Sequence, residues 1–323
     1  MRVLVVGAGA VGGYFGGRLL QAGRDVTFLV RPGRAEQIRK NGFAVRVAAE
    51  RADELAVRAI VSEQIEAPYD LVLVSCKAYD LESAMDGFAP AVGPETAILP
   101  LLNGLRHLDL LSGRFGASRL LGGQCIITAT LDERGHAVLL GRTPTLTFGE
   151  LNGASSKRTD AIATTMQDAG FTVQASNAVL LEMWEKWVLL ATFAGVTCLM
   201  RGAIGDIVAA GAAGLIEALL EECRHIAASQ DQMIRPDVLQ RIRALLTEAG
   251  STATASMLRD LERGTMTEAD HVLGDLLHRQ SELALSVAIA DRVSTFEDLR
   301  SAASERRNPF GRRLIDRPHG DNL

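Results

Sequence analysis

The stretch Arg2-Val3-Leu4-Val5-Val6-Gly7-Ala8-Gly9-Ala10-Val11-Gly12 decides the fold class. Residues 2–7 form a short apolar run rich in β-branched side chains and closed by glycine, which reads as a strand buried on both faces of a parallel sheet. Residues 10–22 follow with helical spacing (Val11, Phe15 and Leu19 facing inward) and stop at Gly23. The G-x-G-x-x-G between strand and helix is weak evidence alone, but this context gives it meaning. Gly7 permits the tight turn, Gly9 lets a pyrophosphate approach the backbone, and Gly12 lets helix pack on strand. Free N–H groups at the helix start, around Ala10 and Val11, face the anion. Strands expected at Asp25–Val30, Phe43–Val47, Val57–Val61, Asp70–Ser75 and Ala97–Leu102 continue the alternation with helices. The fold class is therefore α/β, a Rossmann-like doubly wound domain with right-handed crossovers.

The end of the second strand selects the nucleotide. NAD binders usually carry an acidic residue there, whereas this chain has Val30-Arg31-Pro32-Gly33-Arg34. A guanidinium at Arg31 suits a 2′-phosphate, and Arg34 is a candidate for a second contact, so NADP(H) is the expected cofactor. The alternative for Arg31 is a solvated surface charge. Lys77 and Asn103 lie just past the strands at 70–75 and 97–102, where ligands bind in open α/β sheets. Read by spacing alone, either is equally an ordinary loop residue.

A chain of 323 residues suggests about two domains. Hydrophobic residues make up 47% and charged residues 23%, which excludes a disordered chain. The net charge of −5 argues against nucleic acid as a partner. No apolar run approaches a membrane span, and no signal peptide precedes the first strand. Four dispersed cysteines fit neither a zinc site nor a disulfide framework, and six scattered histidines form no metal cluster. Together these features imply a cytoplasmic protein with no metal and no membrane partner.

From about residue 120 the pattern changes. Cys125–Leu131, His136–Arg142 and Thr145–Glu150 read as successive antiparallel strands, Ser155–Ala169 as a helix and Phe171–Gln174 as a last strand. Five helices follow, at Val179–Thr197, Leu215–Ala228, Pro236–Leu246, Ala253–Glu262 and Glu268–Ala284. The expected organisation is a nucleotide-binding domain over 1–178, an all-helical domain over 179–300 and an arginine-rich loose tail over 301–323.

Two helical residues have both a chemical and a local reading. Lys186 lies between Trp184 and Trp187, where desolvation would lower its pKa toward that of a useful acid. It also forms an i,i+4 pair with Glu182. Glu268 closes Thr265-Met266-Thr267-Glu268, a capping-box pattern. Ser256 reads as a helix-surface residue.

With these pieces placed, the chain resembles the ketopantoate reductase (2-dehydropantoate 2-reductase) family over about residues 1–280. The resemblance rests on the Gly7–Gly12 loop, Val30-Arg31, Cys76-Lys77-Ala78, Asn103-Gly104, Phe148-Gly149-Glu150, Glu185-Lys186-Trp187, Thr197, Ser256-Met257-Leu258-Arg259-Asp260 and Thr267-Glu268. It implies a Rossmann domain joined to a helical domain, with a cleft in which NADPH reduces a 2-oxo acid. By position, Lys186 resembles the family's general acid and Glu268 the carboxylate that works with it. Ser256 resembles the hydroxyl that binds the substrate carboxylate, and Asn103 the cleft residue near nicotinamide and substrate. Arg31 and Lys77 resemble NADP contacts.

Two departures matter. The family's two asparagines beyond the lysine are here Leu190 and Ala194, which removes amide partners for a distal hydroxyl. A buried hydroxyl left without a partner costs about 1–3 kcal/mol. The expectation is 2-dehydropantoate reduction or, alternatively, reduction of a more apolar 2-oxo acid or ketone; a non-catalytic NADP sensor of the same fold is the reading from another class. The second departure is beyond about 285, where the family's closing turn is missing. A homodimer is left open.

Overall fold

The computed structural model describes residues 1–47 and 54–280. Five parallel strands form the central sheet in the order β4-β2-β1-β5-β6, with β1 (Arg2–Val6) in the middle. β2 (Asp25–Leu29) and β4 (Arg58–Ile60) lie to one side, β5 (Leu71–Val74) and β6 (Ala97–Pro100) to the other. The order in which strands are added therefore reverses at the boundary between β1 and β5, while all strands run the same way and the loop after each opens on the same carboxyl edge. Helix α1 (Ala10–Gln21) follows β1, α2 (Pro32–Asn41) follows β2, α3 (Leu81–Phe88) follows β5 and α4 (Arg106–Phe115) follows β6.

Alternation along β1 feeds two cores, as a strand buried on both faces requires. Val3 and Val5 join Phe15, Leu19 and Phe28 on one face. Leu4 and Val6 join Val72 and Val74 on the other, and that core runs without a break into the helical region through Val179, Trp187 and Leu220.

Beyond the central sheet lie two small ones. β3 (Val45–Val47) pairs with β9 (Ala137–Leu139), which pairs with β8 (Ala129–Leu131). β7 (Gly122–Ile126) pairs with β10 (Thr145–Gly149), which pairs with β11 (Thr172–Ala175); α5 (Lys157–Met166) precedes β11. The strand expected at 125–131 is thus two strands in different sheets, and β9 pairs in parallel with β3 and antiparallel with β8 rather than with the 145–150 strand of the expected antiparallel series. β7 starts at Gly122-Gly123, earlier than the expected Cys125. Their bare backbone lets β7 begin early and pass close to Leu99 and the Pro100 carbonyl, where any side chain at Gly123 would collide.

No strand follows Ala175 among the described residues. Helices α6 (Val179–Met200), α7 (Ile204–Ala209), α8 (Ala213–Ser229), α9 (Pro236–Leu246) and α10 (Ser256–Glu262) come next. The short α7 has no counterpart in the sequence reading. The helix expected from Glu268 begins instead as a π-helical turn at Asp270–Gly274 and continues as α11 (Asp275–His278). The expected continuation to Ala284 and the tail over 301–323 lie outside the described residues. No described helix is long and apolar enough to cross a membrane.

Gly12 packs so closely that a Cβ there would overlap Ser75 Oγ and the Gly7 carbonyl. Gly12→Ala should lower stability by about 1–3 kcal/mol, the range for overpacking. Chemical denaturation of the full chain would read this as a lower midpoint at unchanged m.

Candidate active site

Most of the residues singled out from the sequence lie along the carboxyl edge of the central sheet or face it. After β1, Gly7 has φ of +95°, a conformation that glycine adopts without strain. The space beside Gly9 is open, with no atom near where a Cβ would stand. The first turn of α1, including Ala10, Val11 and Gly12, has no preceding turn to accept its N–H groups. A tight turn, an open approach and unpaired donors together fit a pyrophosphate. Ser75, not singled out from the sequence, supports this loop by donating to the Val6 and Gly7 carbonyls at 2.9 and 3.1 Å. Its place one residue after β5 is the signal that could have found it.

Arg31 caps α2 beside the loop and is mostly exposed, paired with Asp80 at 2.6 Å. The Asp80 hydrogen bond and charge raise its pKa, so it is a permanent cation facing solvent. Arg34 does not act as a second free cation. It donates to the Ala8 carbonyl at 2.8 and 3.0 Å and to the Gly135 carbonyl at 2.6 Å, clamping the glycine loop to the turn between β8 and β9.

Lys77 and Glu268 meet across the cleft. Glu268 accepts from the Ala78 backbone N–H at 2.9 Å, and Lys77 Nζ lies 3.5 Å from Glu268 and 3.2 Å from Asp260 of α10. Burial lowers the Lys77 pKa, but the two carboxylates outweigh it and leave it raised. The capping box does not form: Thr265 Oγ1 donates to the Asp260 carbonyl, while the Glu268 carboxylate is held across the cleft. A long-range pair of donors wins over the local one.

Lys186 sits on α6. The i,i+4 pair with Glu182 does not form; Glu182 instead lies 3.9 Å from Arg235, which also makes a bidentate pair with Glu185. Lys186 Nζ donates to the Cys125 carbonyl of β7 at 2.8 Å. Burial lowers its pKa, with the Glu268 charge opposing. The lysine lines a narrow pocket with Asn103, Gly104, Gln124, Trp187 and Leu190. Asn103 and Lys186 are therefore brought together, and Leu190 contributes an apolar wall. Ala194 is not on the pocket but in the core under α6. Gln124 is a polar pocket residue that the sequence reading omitted, because the strand was begun at Cys125. Ser256 opens α10 as an exposed residue one turn ahead of Asp260, and it does not line this pocket. No described cluster of acidic, histidine and cysteine side chains could hold a metal ion.

The chain thus combines a lysine held by a strand carbonyl beside an asparagine with a glycine-rich loop between its first strand and helix. The family model for ketopantoate reductase PanE/ApbA matches residues 3–153, and its C-terminal counterpart matches residues 178–295. The chain belongs to this family. Among its relatives is an uncharacterized oxidoreductase of Bacillus subtilis, 33% identical over 91% of this chain and 96% of the relative. A 2-dehydropantoate 2-reductase of Archaeoglobus fulgidus is 29% identical over 89% of this chain and 94% of the relative. The fold is shared with D-mandelate dehydrogenase in its complex with NADH and anilino(oxo)acetate, at a TM-score of 0.82 and 20% identity, covering 94% of this chain and 99% of that one.

Because nothing within the chain stands near the missing Cβ of Gly9, Gly9→Ala should fold normally. Its effect should be on the ligand: a melting temperature unchanged in the absence of nucleotide, with nucleotide affinity reduced about tenfold or more, read by calorimetric titration.

Proposed function

We propose that this oxidoreductase reduces a 2-oxo acid to a 2-hydroxy acid with NADPH, in the manner of a 2-dehydropantoate 2-reductase. The carrying observation is Lys186: an amine withdrawn from water and aimed by the Cys125 carbonyl into a pocket shared with Asn103. The Gly7–Gly12 loop and the exposed guanidinium of Arg31 fit the pyrophosphate and 2′-phosphate of the dinucleotide. When bound in its reduced state, the nicotinamide supplies a hydride. Lys186 supplies the proton that the carbonyl oxygen needs as its carbon is reduced, acting as general acid from Nζ. Asn103, at the end of β6, orients the substrate with its amide. Glu268 holds Lys77 and the Ala78 N–H at the cleft, and its charge favours the protonated form of Lys186. Ser256, exposed on α10 in this structure, is proposed to bind the substrate carboxylate on further closure of the cleft. In this reading the cleft lies between a nucleotide domain over 1–178 and a helical domain over 179–300.

The far end of the pocket bears on which 2-oxo acid is used. Leu190 removes one hydrogen-bonding group from α6, which favours a more apolar substrate; Gln124 supplies an amide from β7 in the same pocket. A panel of 2-dehydropantoate and equal-sized 2-oxo acids without the hydroxyl, followed by loss of reduced-nicotinamide absorbance, tests both. Clear preference for 2-dehydropantoate supports the first assignment, and preference for the hydroxyl-free acids supports the second. Turnover of none of them overturns the reading.

Lys186→Ala should lower kcat by about 10²–10⁴-fold, the usual contribution of a positioned general acid, while the Kd for NADPH is unchanged. Because the lysine acts in its protonated form and its pKa lies below the ordinary 10.5, wild-type kcat should fall on the alkaline side below that pH. Arg31→Ala should reduce kcat/KM for NADPH about 10- to 100-fold and leave NADH almost unchanged, as expected for losing a charge-assisted hydrogen bond to the 2′-phosphate.

A further inference from the structure

His107, on α4, and His271, in the π-helical turn, are both buried and belong to no step described above. Their rings stack with centroids 5.6 Å apart at 21°, and His107 Nδ1 lies 3.3 Å from His271 Nε2. The His271 ring packs against the Asn103-Gly104 turn, its Cδ2 and Nε2 standing 3.1 and 3.5 Å from where a Cβ on Gly104 would be, and the Asn103 backbone favours a proton on it. Asn103 is the pocket residue beside Lys186. Gly104, next along, packs so tightly that an added Cβ would stand 2.7 Å from the His271 carbonyl. The same turn is fixed on two further sides. The His271 N–H donates to the Glu268 carbonyl at 3.1 Å, and Trp187, the neighbour of Lys186, donates from Nε1 to the Val272 carbonyl at 2.7 Å.

We propose that His107 and His271 are positioning residues, a hydrogen-bonded relay that sets Asn103 in register with Lys186 through the turn that also carries Glu268. The direction of the relay follows from proton counting. Each neutral ring has one N–H. In the proposed relay His271 turns its own toward the Asn103 backbone, so its Nε2 is bare and accepts from His107 Nδ1–H. That leaves His107 Nε2 as a bare lone pair, which agrees with its being buried without a partner. Burial disfavours the charged form of both rings, in keeping with neutral tautomers.

The inference rests on the proposed reductase reading, and its test separates the two. His107→Phe keeps a ring of similar size but no donor. His107→Asn loses packing but keeps an amide nitrogen as many bonds from the backbone as Nδ1. A relay predicts that Phe lowers kcat/KM for the 2-oxo acid about tenfold, the loss of one buried hydrogen bond, while Asn stays within about twofold. A packing role predicts the reverse order, and that order, or equal effects, overturns the proposal. Nitrogen-15 spectra of the wild-type imidazoles provide a readout that needs no turnover. Nδ1–H tautomers for both His107 and His271 support the relay, and an Nε2–H tautomer at His107 overturns it. If wild type reduces no 2-oxo acid, the reductase reading fails and the spectra still decide whether the relay exists.

Discussion

Removing an amine from water is the constraint around which this site is organised. An ammonium in a poorly hydrated pocket is strongly disfavoured unless oxygen atoms replace its lost water. Lys186 finds the Cys125 carbonyl, and that contact places β7 against α6. β7 is in turn held by β10, and its glycines let it lie across the end of β6. The small sheet is therefore the wall that makes a partly buried lysine tolerable, at the edge of the larger central sheet.

A second set of contacts brings the helical region onto the same edge. Glu268 reaches the Ala78 N–H and Lys77, Trp187 holds the Val272 carbonyl, and His271 packs against Gly104. A π-helical turn displaces its residues from ordinary α-helical register, a feature frequent at functional sites. Here that turn carries contacts on three sides within a few residues.

The strand-loop-helix at the start of the chain and the alternation after it were legible because they depend on local periodicity, and the central sheet follows them except at 43–47, whose strand β3 pairs with β9 in a small separate sheet. Long helices with strong patterns were equally plain; α9 spans Pro236–Leu246 as read. The choice of partner was not legible. Lys186 has Glu182 one helical turn away and Glu268 has Thr265 in capping position, yet both side chains are held by residues distant in the chain. Spacing rules state which local contact is available, not whether a remote carbonyl or N–H competes better. The same holds for Arg34, whose apparent freedom in sequence is taken up by Ala8 and Gly135. Gln124 escaped notice for a different reason: the glycine pair before it has low strand propensity, and only the close approach to β6 explains a strand there.

The core that runs from Leu4 and Val6 through Val179 and Trp187 to Leu220 has a consequence for folding. The region before Val179 has most of the architecture of a self-sufficient nucleotide-binding unit, but one face of it is completed by α6. Severed there, it would present a contiguous apolar surface to water, a feature that favours aggregation over independent stability. The two regions are therefore coupled thermodynamically, and loosening the helical part weakens the sheet that holds the nucleotide loop.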